Sequence, residues 1–394
     1  MPVLPDKSLQ PSVQARLRSG RLAAEARRWA SEHRTINKGE NMGSHPILTT
    51  ARELQPLLRQ HLEEGERRAR LTPKVVSAAG KAGLFRLFAP REVGGLEVPL
   101  PVALAVTEII GAADAAVGWY MINSMRPSLA TAYVPDPERA ELFAEPERNF
   151  GNSPLPGGKA VAVAGGYRVS GQWPLVTGCE DAKWCGLGGM VMEGDSPRLV
   201  NGRPDMRYFF IPTADLTIEP TWQDAAAMRG TGSNAASVRE VFVPEALAIG
   251  AATPLLIDRP VFRQPPSLLF FPIGVAIAFG VLETALQREV EDLGAKASSF
   301  TGQTLRDQAP IQELIANSDA ALRAARAGHV EAMTAVWDIA QTGAEVPLRL
   351  RAQVYASSYY AIDVIRDTIS RLYARGTRAA FQQGHPVERA LRNL

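Results

Sequence analysis

Thr177, Gly178, Cys179, Glu180 and Asp181 set a hydroxyl, a thiol and two carboxylates around one glycine, between two strand-like runs. Glycine offers no Cβ, so a flat ligand can approach main-chain N–H groups across such a corner. Tyr167, Val169 and Trp173 carry the strand bias before it; Trp184, Leu187, Met190 and Val191 carry it after. Gly165-Gly166 is a hairpin signal between Val161/Val163 and the first of these runs. Other chemistries find little support. Cys179 and Cys185 are the two cysteines, with no histidine nearby. Neither a CxxC metal pair nor a disulfide framework is indicated, and a reduced, cytoplasmic setting is expected. The five histidines are scattered and HExxH is absent, so no metal is expected. GxSxG is missing, which argues against a hydrolase elbow. No GxGxxG follows a strand, and Gly186-Leu187-Gly188-Gly189 inside a strand-like run is only a weak phosphate signal.

The elements that must position this corner follow from pattern. The chain has 394 residues and a net charge of +2 from 43 basic and 41 acidic side chains. That balance gives no reason to expect nucleic acid or an anionic membrane as partner. The longest apolar candidate, Leu268 to Leu282, contains Pro272 and glycines and falls short of the roughly 18 residues of a spanning helix. It reads as a buried core helix. Residues 1–43 are Arg-rich and poor in large apolar side chains, so a disordered extension is expected there. Residues 44–150 read as a helical domain. Thr72 is a cap ahead of Pro73, Pro90 and Gly94-Gly95 are a break, and Val102 to Met125 is one long buried helix. From 151 to 250 the helical period vanishes and short strand-like runs alternate with turns, as in a small sheet or barrel. From 251 to 394 helical spacing returns, over Ile273–Leu293 and two further long stretches, with a short helix near 385. A C-terminal four-helix bundle is expected, and an α+β class overall.

Several stretches also carry a family likeness. Gly83 to Gly95 (GLFRLFAPREVGG), the run from Asp114 to Trp119, VSGQWPLVTG ending at Gly178, RGTGS at Arg229–Ser233, VFVP at Val241–Pro244 and the closing LYARGTRAAFQQGHPVERALRNL occur in three ordered blocks. In this order the chain, from about residue 46 onward, resembles the acyl-CoA dehydrogenase superfamily. It looks closest to the branch of two-component flavin-dependent monooxygenases. The resemblance implies an N-terminal helical domain, a middle β domain that binds flavin, and a C-terminal helical bundle. It implies FAD or FMN, used as reduced flavin from a partner reductase, a small-molecule substrate, and a homotetramer.

By the same resemblance the Thr177 hydroxyl lies near the flavin N5, Trp173 packs by the ring, and the backbone of Val176, Thr177 and Gly178 meets the ring edge. Arg229, Thr231 and Ser233 lie near the flavin or the substrate mouth. The family's pyrophosphate arginine is not intact; Lys296 is the nearest basic residue, which weakens tight FAD binding and allows FMN or a diffusible reduced flavin. Phenol-hydroxylating members carry a histidine on the helix Met121 to Val134, where this chain has Asn123, Ser124 and Arg126. Asn123 and Ser124 therefore stand as catalytic candidates, and a substrate other than a simple phenol stays open. A dehydrogenase needs a carboxylate base, and SLLFFPIGVAIAFG offers none before Glu283. Relatives continue past the position of Leu394 into a helix that helps line the site, so a truncated enzyme is one expectation. An acyl-CoA dehydrogenase with a displaced base and a flavin-free scaffold or partner subunit remain the alternatives.

Overall fold

The computed structural model describes residues 45–145, 147–298 and 302–394. The N-terminal extension expected over 1–43 lies outside the described residues, as do 299–301 beside Lys296. The elements from Pro46 to Leu394 pack as one unit.

Helix α1 (Pro46–Arg68) buries one apolar stripe, Ile47, Leu48, Ala51, Leu58 and Leu62, at helical spacing. Helix α2 (Pro73–Lys81) starts as the sequence indicates. Thr72 Oγ1 accepts from Val75 N at 3.4 Å, and Pro73 sits at the first turn, where its missing N–H costs nothing. The single helix expected over Val102 to Met125 is in fact two, α3 (Leu100–Gly111) and α4 (Ala115–Ala130). Asp114 divides them. Its extended backbone leaves the helix, and its carboxylate accepts from Ala116 N at 2.8 Å to cap the next one. The stretch is apolar throughout, so periodicity alone hid the cap. Helix α5 (Asp136–Leu142) closes this part.

The sheet begins with β1 (Phe150–Val163) and β2 (Gly166–Val176), an antiparallel hairpin turning at Gly165, whose φ of 79° suits glycine. Strand β3 (Trp184–Glu193) runs parallel to β1. Strands β4 (Met206–Pro212), β5 (Thr217–Glu219), β6 (Asn234–Pro244) and β7 (Ala248–Gly250) complete the order β7-β4-β3-β1-β2-β6-β5. Trp173, Val176, Leu187, Phe209 and Phe210 lie in its buried core. The architecture is an open sheet rather than a closed barrel.

Beyond the sheet come α6 (Pro266–Ala295), α7 (Ala309–Thr342), α8 (Leu348–Arg375) and the short α9 (Pro386–Asn393). Helix α6 is longer than its apolar run suggested. By length and composition it is long and apolar enough to cross a membrane, yet 67% of that window is buried within the fold. Leu268, Ile273, Ala276, Phe279 and Leu282 are all buried, so α6 is the central core helix.

Candidate functional site

Strand β2 ends at Val176, and the next residue, Thr177, folds back onto β1. Thr177 N donates to Asn152 O and Asn152 N to Thr177 O, each at 3.2 Å. This bridge holds the Thr177 hydroxyl against a turn arriving from before β6. Thr177 Oγ1 lies 2.8 Å from Ser233 Oγ, which lies 2.9 Å from Thr231 Oγ1. All three residues are buried. Three hydroxyls hold three protons and the two contacts use two, so one O–H of the three is left over to donate beyond them. The turn is shaped by Met228 and Gly232, both at positive φ, and by Thr231 N donating to Met228 O.

The corner expected to be open is closed. Gly178 has φ 73°, and a Cβ there would stand 2.7 Å from Asn149 Nδ2 and 3.0 Å from the Tyr120 ring. Asn149 Nδ2 donates to Gly178 O at 2.9 Å, and Cys179 is fully buried. Its two carboxylates serve as an anchor. Arg70 reaches both Glu180 and Asp181, Tyr120 Oη donates to Asp181 Oδ2 at 3.2 Å, and Asn234 Nδ2 to Glu180 Oε2 at 3.0 Å. Burial, with Asp181 adding, drives the Tyr120 phenol well above its ordinary value. Both thiols are likewise held protonated, Cys185 pushed up to about 12 by burial.

Trp173 is fully buried in the sheet core. Its indole N–H donates to Leu155 O at 3.1 Å and Gly188 O at 2.8 Å, so the ring is locked between strands and leaves no face free for a cofactor. A large aromatic beside small polar residues reads alike in sequence whether it stacks on a ligand or fills a core. Near it Leu155 and Leu175 stand 47% and 45% exposed, alongside exposed Gln172 and Glu180.

Asn123 and Ser124 part company. Ser124 Oγ accepts from Phe150 N at 3.0 Å in full burial, a strut between α4 and β1. Asn123 Oδ1 accepts from Asn152 Nδ2 at 2.8 Å, and Asn152 Oδ1 accepts from Tyr208 Oη at 2.6 Å. Asn152 therefore joins Asn123 and Tyr208, through its side chain, to Thr177, through its backbone. Burial pushes the Tyr208 phenol far up, with the neighbouring Arg126 partly offsetting it. A Cβ at Gly186 would lie 2.1 Å from Tyr208 Oη, and Cβ atoms at Gly188 and Gly189 would meet the β1 backbone, so these glycines serve strand packing and form no phosphate loop. Asn152 and Tyr208 were missed from sequence. The available signal was Asn152-Ser153, two polar side chains in the buried first four residues of β1.

Arg229 and Lys296 are not brought to the hydroxyls. Arg229 donates to Glu66 O at 3.0 Å, Ala225 O at 2.6 Å and Gln223 O at 3.2 Å, which makes it a clasp for its own turn. Glu66 also accepts from Arg389 at 3.2 Å and Arg392 at 2.9 Å, and Met228 N donates to Asn393 Oδ1 at 2.9 Å. Lys296 is exposed beyond the C-terminal end of α6. Counted from Phe270, which packs on Trp119 of α4, that is roughly 40 Å along the helix.

Next to the Asn152 network lies a pocket of about 10 Å³ walled by Phe88, Ile122, Met125, Arg126, Leu269 and Phe270. No carboxylate lines it. Glu283 instead pairs with Arg326 at 2.8 Å, half exposed. Glu289, Asp292 and His385 bring three ligand-type atoms within 4.8 Å of one another. All three are engaged in holding the fold. Glu289 accepts from the Thr377 backbone, His385 Nε2 faces Asp292 at 2.9 Å, and His385 Nδ1 accepts from Val387 N at 3.2 Å to cap α9.

A helical domain, a sheet bearing a buried hydroxyl cluster, and a helical domain built on a central apolar helix define a class. The acyl-CoA dehydrogenase N-terminal domain model matches residues 47–133 and the acyl-CoA dehydrogenase C-terminal domain model matches 273–394. The chain belongs to the acyl-CoA dehydrogenase superfamily. Within it, the chain is similar to the flavin-dependent monooxygenase, oxygenase subunit HsaA, of Mycobacterium tuberculosis, at 27% identity over 88% of this chain and 89% of that protein. It is also similar to the indole-3-acetate monooxygenase of Pseudomonas putida, at 28% identity over 78% and 77%. Its fold matches XiaF from Streptomyces sp., solved in complex with FADH2 and glycerol, with a TM-score of 0.80 at 24% identity over 88% and 89% of the two chains.

Proposed function

We propose that this protein is the oxygenase component of a two-component flavin-dependent monooxygenase. It takes reduced flavin, FAD or FMN, from a partner reductase and oxygenates a small organic substrate. The observation that carries this reading is the buried chain Thr177–Ser233–Thr231 with one O–H unspent. A flavin ring presents nitrogen and carbonyl acceptors, and such a hydroxyl meets one of them. Ser153 Oγ, buried and without a partner, is a second hydroxyl on the same strand as Asn152. The exposed Leu155 and Leu175 offer apolar surface for a flat ring. The residues present therefore fit the cofactor.

When bound, the reduced flavin supplies the electrons that activate oxygen. The chain's own residues do the rest. With Thr231 donating to Ser233 and Ser233 to Thr177, Thr177 would hold the spare proton for a flavin acceptor and the other two hydroxyls would polarise it. Asn152 fixes Thr177 through the backbone bridge and holds Asn123 and Tyr208 with its side chain. The walls from α4 and α6 exclude water from the reacting face. The small pocket between α4 and α6 offers no carboxylate to take a thioester α-proton; Glu63 and Asp114 line a separate, larger cavity of about 240 Å³.

We further propose a homotetramer in the cytoplasm. Leu348, Tyr359 and Tyr360 stand 80%, 62% and 61% exposed on α8, an apolar surface suited to a second copy. The two buried free thiols accord with a reducing compartment. The functional test is anaerobic titration with FADH2 and FMNH2, followed by oxygen and a panel of small aromatics. Micromolar binding of reduced flavin and substrate-dependent oxygen incorporation are expected. Failure to bind either reduced flavin refutes the proposal, and oxidation of an acyl-CoA without a reductase replaces it with the dehydrogenase reading.

A further inference from the structure

Arg126 is an arginine without an anion. It sits on the wall of the apolar pocket between α4 and the first turn of α6, three residues along α4 from Asn123. Its Nε is buried and has no hydrogen-bond partner. Its guanidinium carbon lies 5.4 Å from the centre of the Tyr208 ring. Among the described residues no carboxylate pairs with it. Four other buried or half-buried arginines of the fold do have one. Arg70 has Asp181, Arg139 has Asp136, Arg207 has Glu245, and Arg326 has Glu108.

Arg126 is half-buried, and a guanidinium partly withdrawn from water without an anion is unfavourable, a cost that a ring face offsets only in part. At those four positions the chain supplies the anion itself, while half-buried Arg86 and Arg229 are met by backbone carbonyls. At Arg126 it supplies the ring face and hydroxyl of Tyr208 and an apolar wall, but no carboxylate. The arrangement is complete only when the anion arrives on a ligand. Arginine's planar fork matches a carboxylate through two parallel bonds, while Phe88, Ile122, Met125 and Phe270 match an apolar ring.

We infer that the substrate is a small aromatic carboxylate, with its carboxylate on Arg126 and its ring among the apolar walls. This rests on the monooxygenase reading and adds the substrate class to it. The free volume of about 10 Å³ holds no ring, so the first turn of α6, Pro266 to Phe270, must give way as the ligand enters. That turn has no side-chain cap to hold it.

The test is calorimetric binding to the full chain loaded with reduced flavin under anaerobic conditions. The probes are phenylacetate, 1-naphthylacetate and 2-naphthoate, each against its uncharged amide. At least one carboxylate should bind ten- to a hundred-fold tighter than its amide, as a charge-assisted pair predicts. Arg126→Gln should abolish that preference and leave amide affinity unchanged, and Arg126→Lys should restore part of it. Reduced-flavin affinity, measured on the same samples, separates the two readings. If flavin binds normally and no carboxylate is preferred, this inference is overturned and the monooxygenase reading stands. If Arg126→Gln weakens reduced flavin with and without probe alike, the anion belongs to the cofactor and the inference is likewise overturned. If wild-type protein binds no flavin, the monooxygenase reading itself fails.

Discussion

Cutting the three-hydroxyl chain at each of its links should separate stability from function. Thr177→Val removes the link at the outer end. It deletes one hydrogen bond of 2.8 Å, while Ser233 keeps its bond to Thr231 at 2.9 Å. No buried hydroxyl is orphaned, so the cost is about 1 kcal/mol. Thr231→Val is its mirror image and costs about the same. Ser233→Ala removes the middle. It deletes both bonds and leaves two buried hydroxyls without their shared partner, for a cost of about 2–4 kcal/mol. Stability should therefore fall most for Ser233→Ala, with the two valine variants nearly equal. Function should follow a different order. Thr177→Val loses the donor itself, Ser233→Ala only its polarisation, and Thr231→Val the least. Urea midpoints give the first ranking. The fraction of oxygen consumed that appears in product rather than in hydrogen peroxide gives the second. If Thr177→Val keeps wild-type coupling, or if the two rankings coincide, the hydroxyl chain is a packing feature and the site lies elsewhere.

Three further outcomes follow from the geometry. Trp173→Phe should cost about 2 kcal/mol, because Leu155 O and Gly188 O lose their donor, yet change reduced-flavin affinity by less than about threefold; a large loss of affinity with intact stability would return the indole to the cofactor. Gly178→Ala forces a positive φ and a 2.7 Å contact with Asn149, so it should destabilise by about 2 kcal/mol in urea; a neutral result would mean the corner is open. Glu108, its side chain 21% exposed, is pushed up to about 7 by burial, with Arg326 opposing and Glu283 adding. The native state then holds more protons than the unfolded chain between pH 4.5 and about 7, so stability falls as pH rises across that window. Glu108→Gln should flatten the fall, and an unchanged slope of urea midpoint against pH would locate the proton elsewhere.

Much of the fold was legible in local pattern. Thr72 before Pro73 announced a helix start, Gly165-Gly166 a hairpin, and the loss of helical period after residue 150 the sheet. These signals are local and need no knowledge of what lies opposite. The failures share the converse property. Asp114 inside an apolar stretch looks like an interruption until its carboxylate is seen on Ala116 N. Trp173 and Arg229 look available until the carbonyls that claim their N–H groups are in view. The site was legible in part. Thr177, Thr231 and Ser233 were marked by motif, but their contact joins residues 56 positions apart. Asn152 and Tyr208 carry no motif, and only the register of β1, β3 and β4 brings them together. Arg126 was visible as a polar residue on a helix, whereas its lack of a carboxylate partner is a property of the whole neighbourhood.

The Glu66 junction also bears on how the chain matures. Arg389 and Arg392 reach a carboxylate made more than three hundred residues earlier, and Asn393 caps the backbone of Met228. The turn that presents Thr231 and Ser233 is thus clamped from both ends of the described chain. On the ribosome α1 and the sheet emerge first, but the clamp cannot close until residues 389–393 have left the exit tunnel. Loop closure over such a span is slow. The hydroxyl cluster is then among the last features to settle, and a nascent chain carries its flavin site in an unfinished state until synthesis has passed that point.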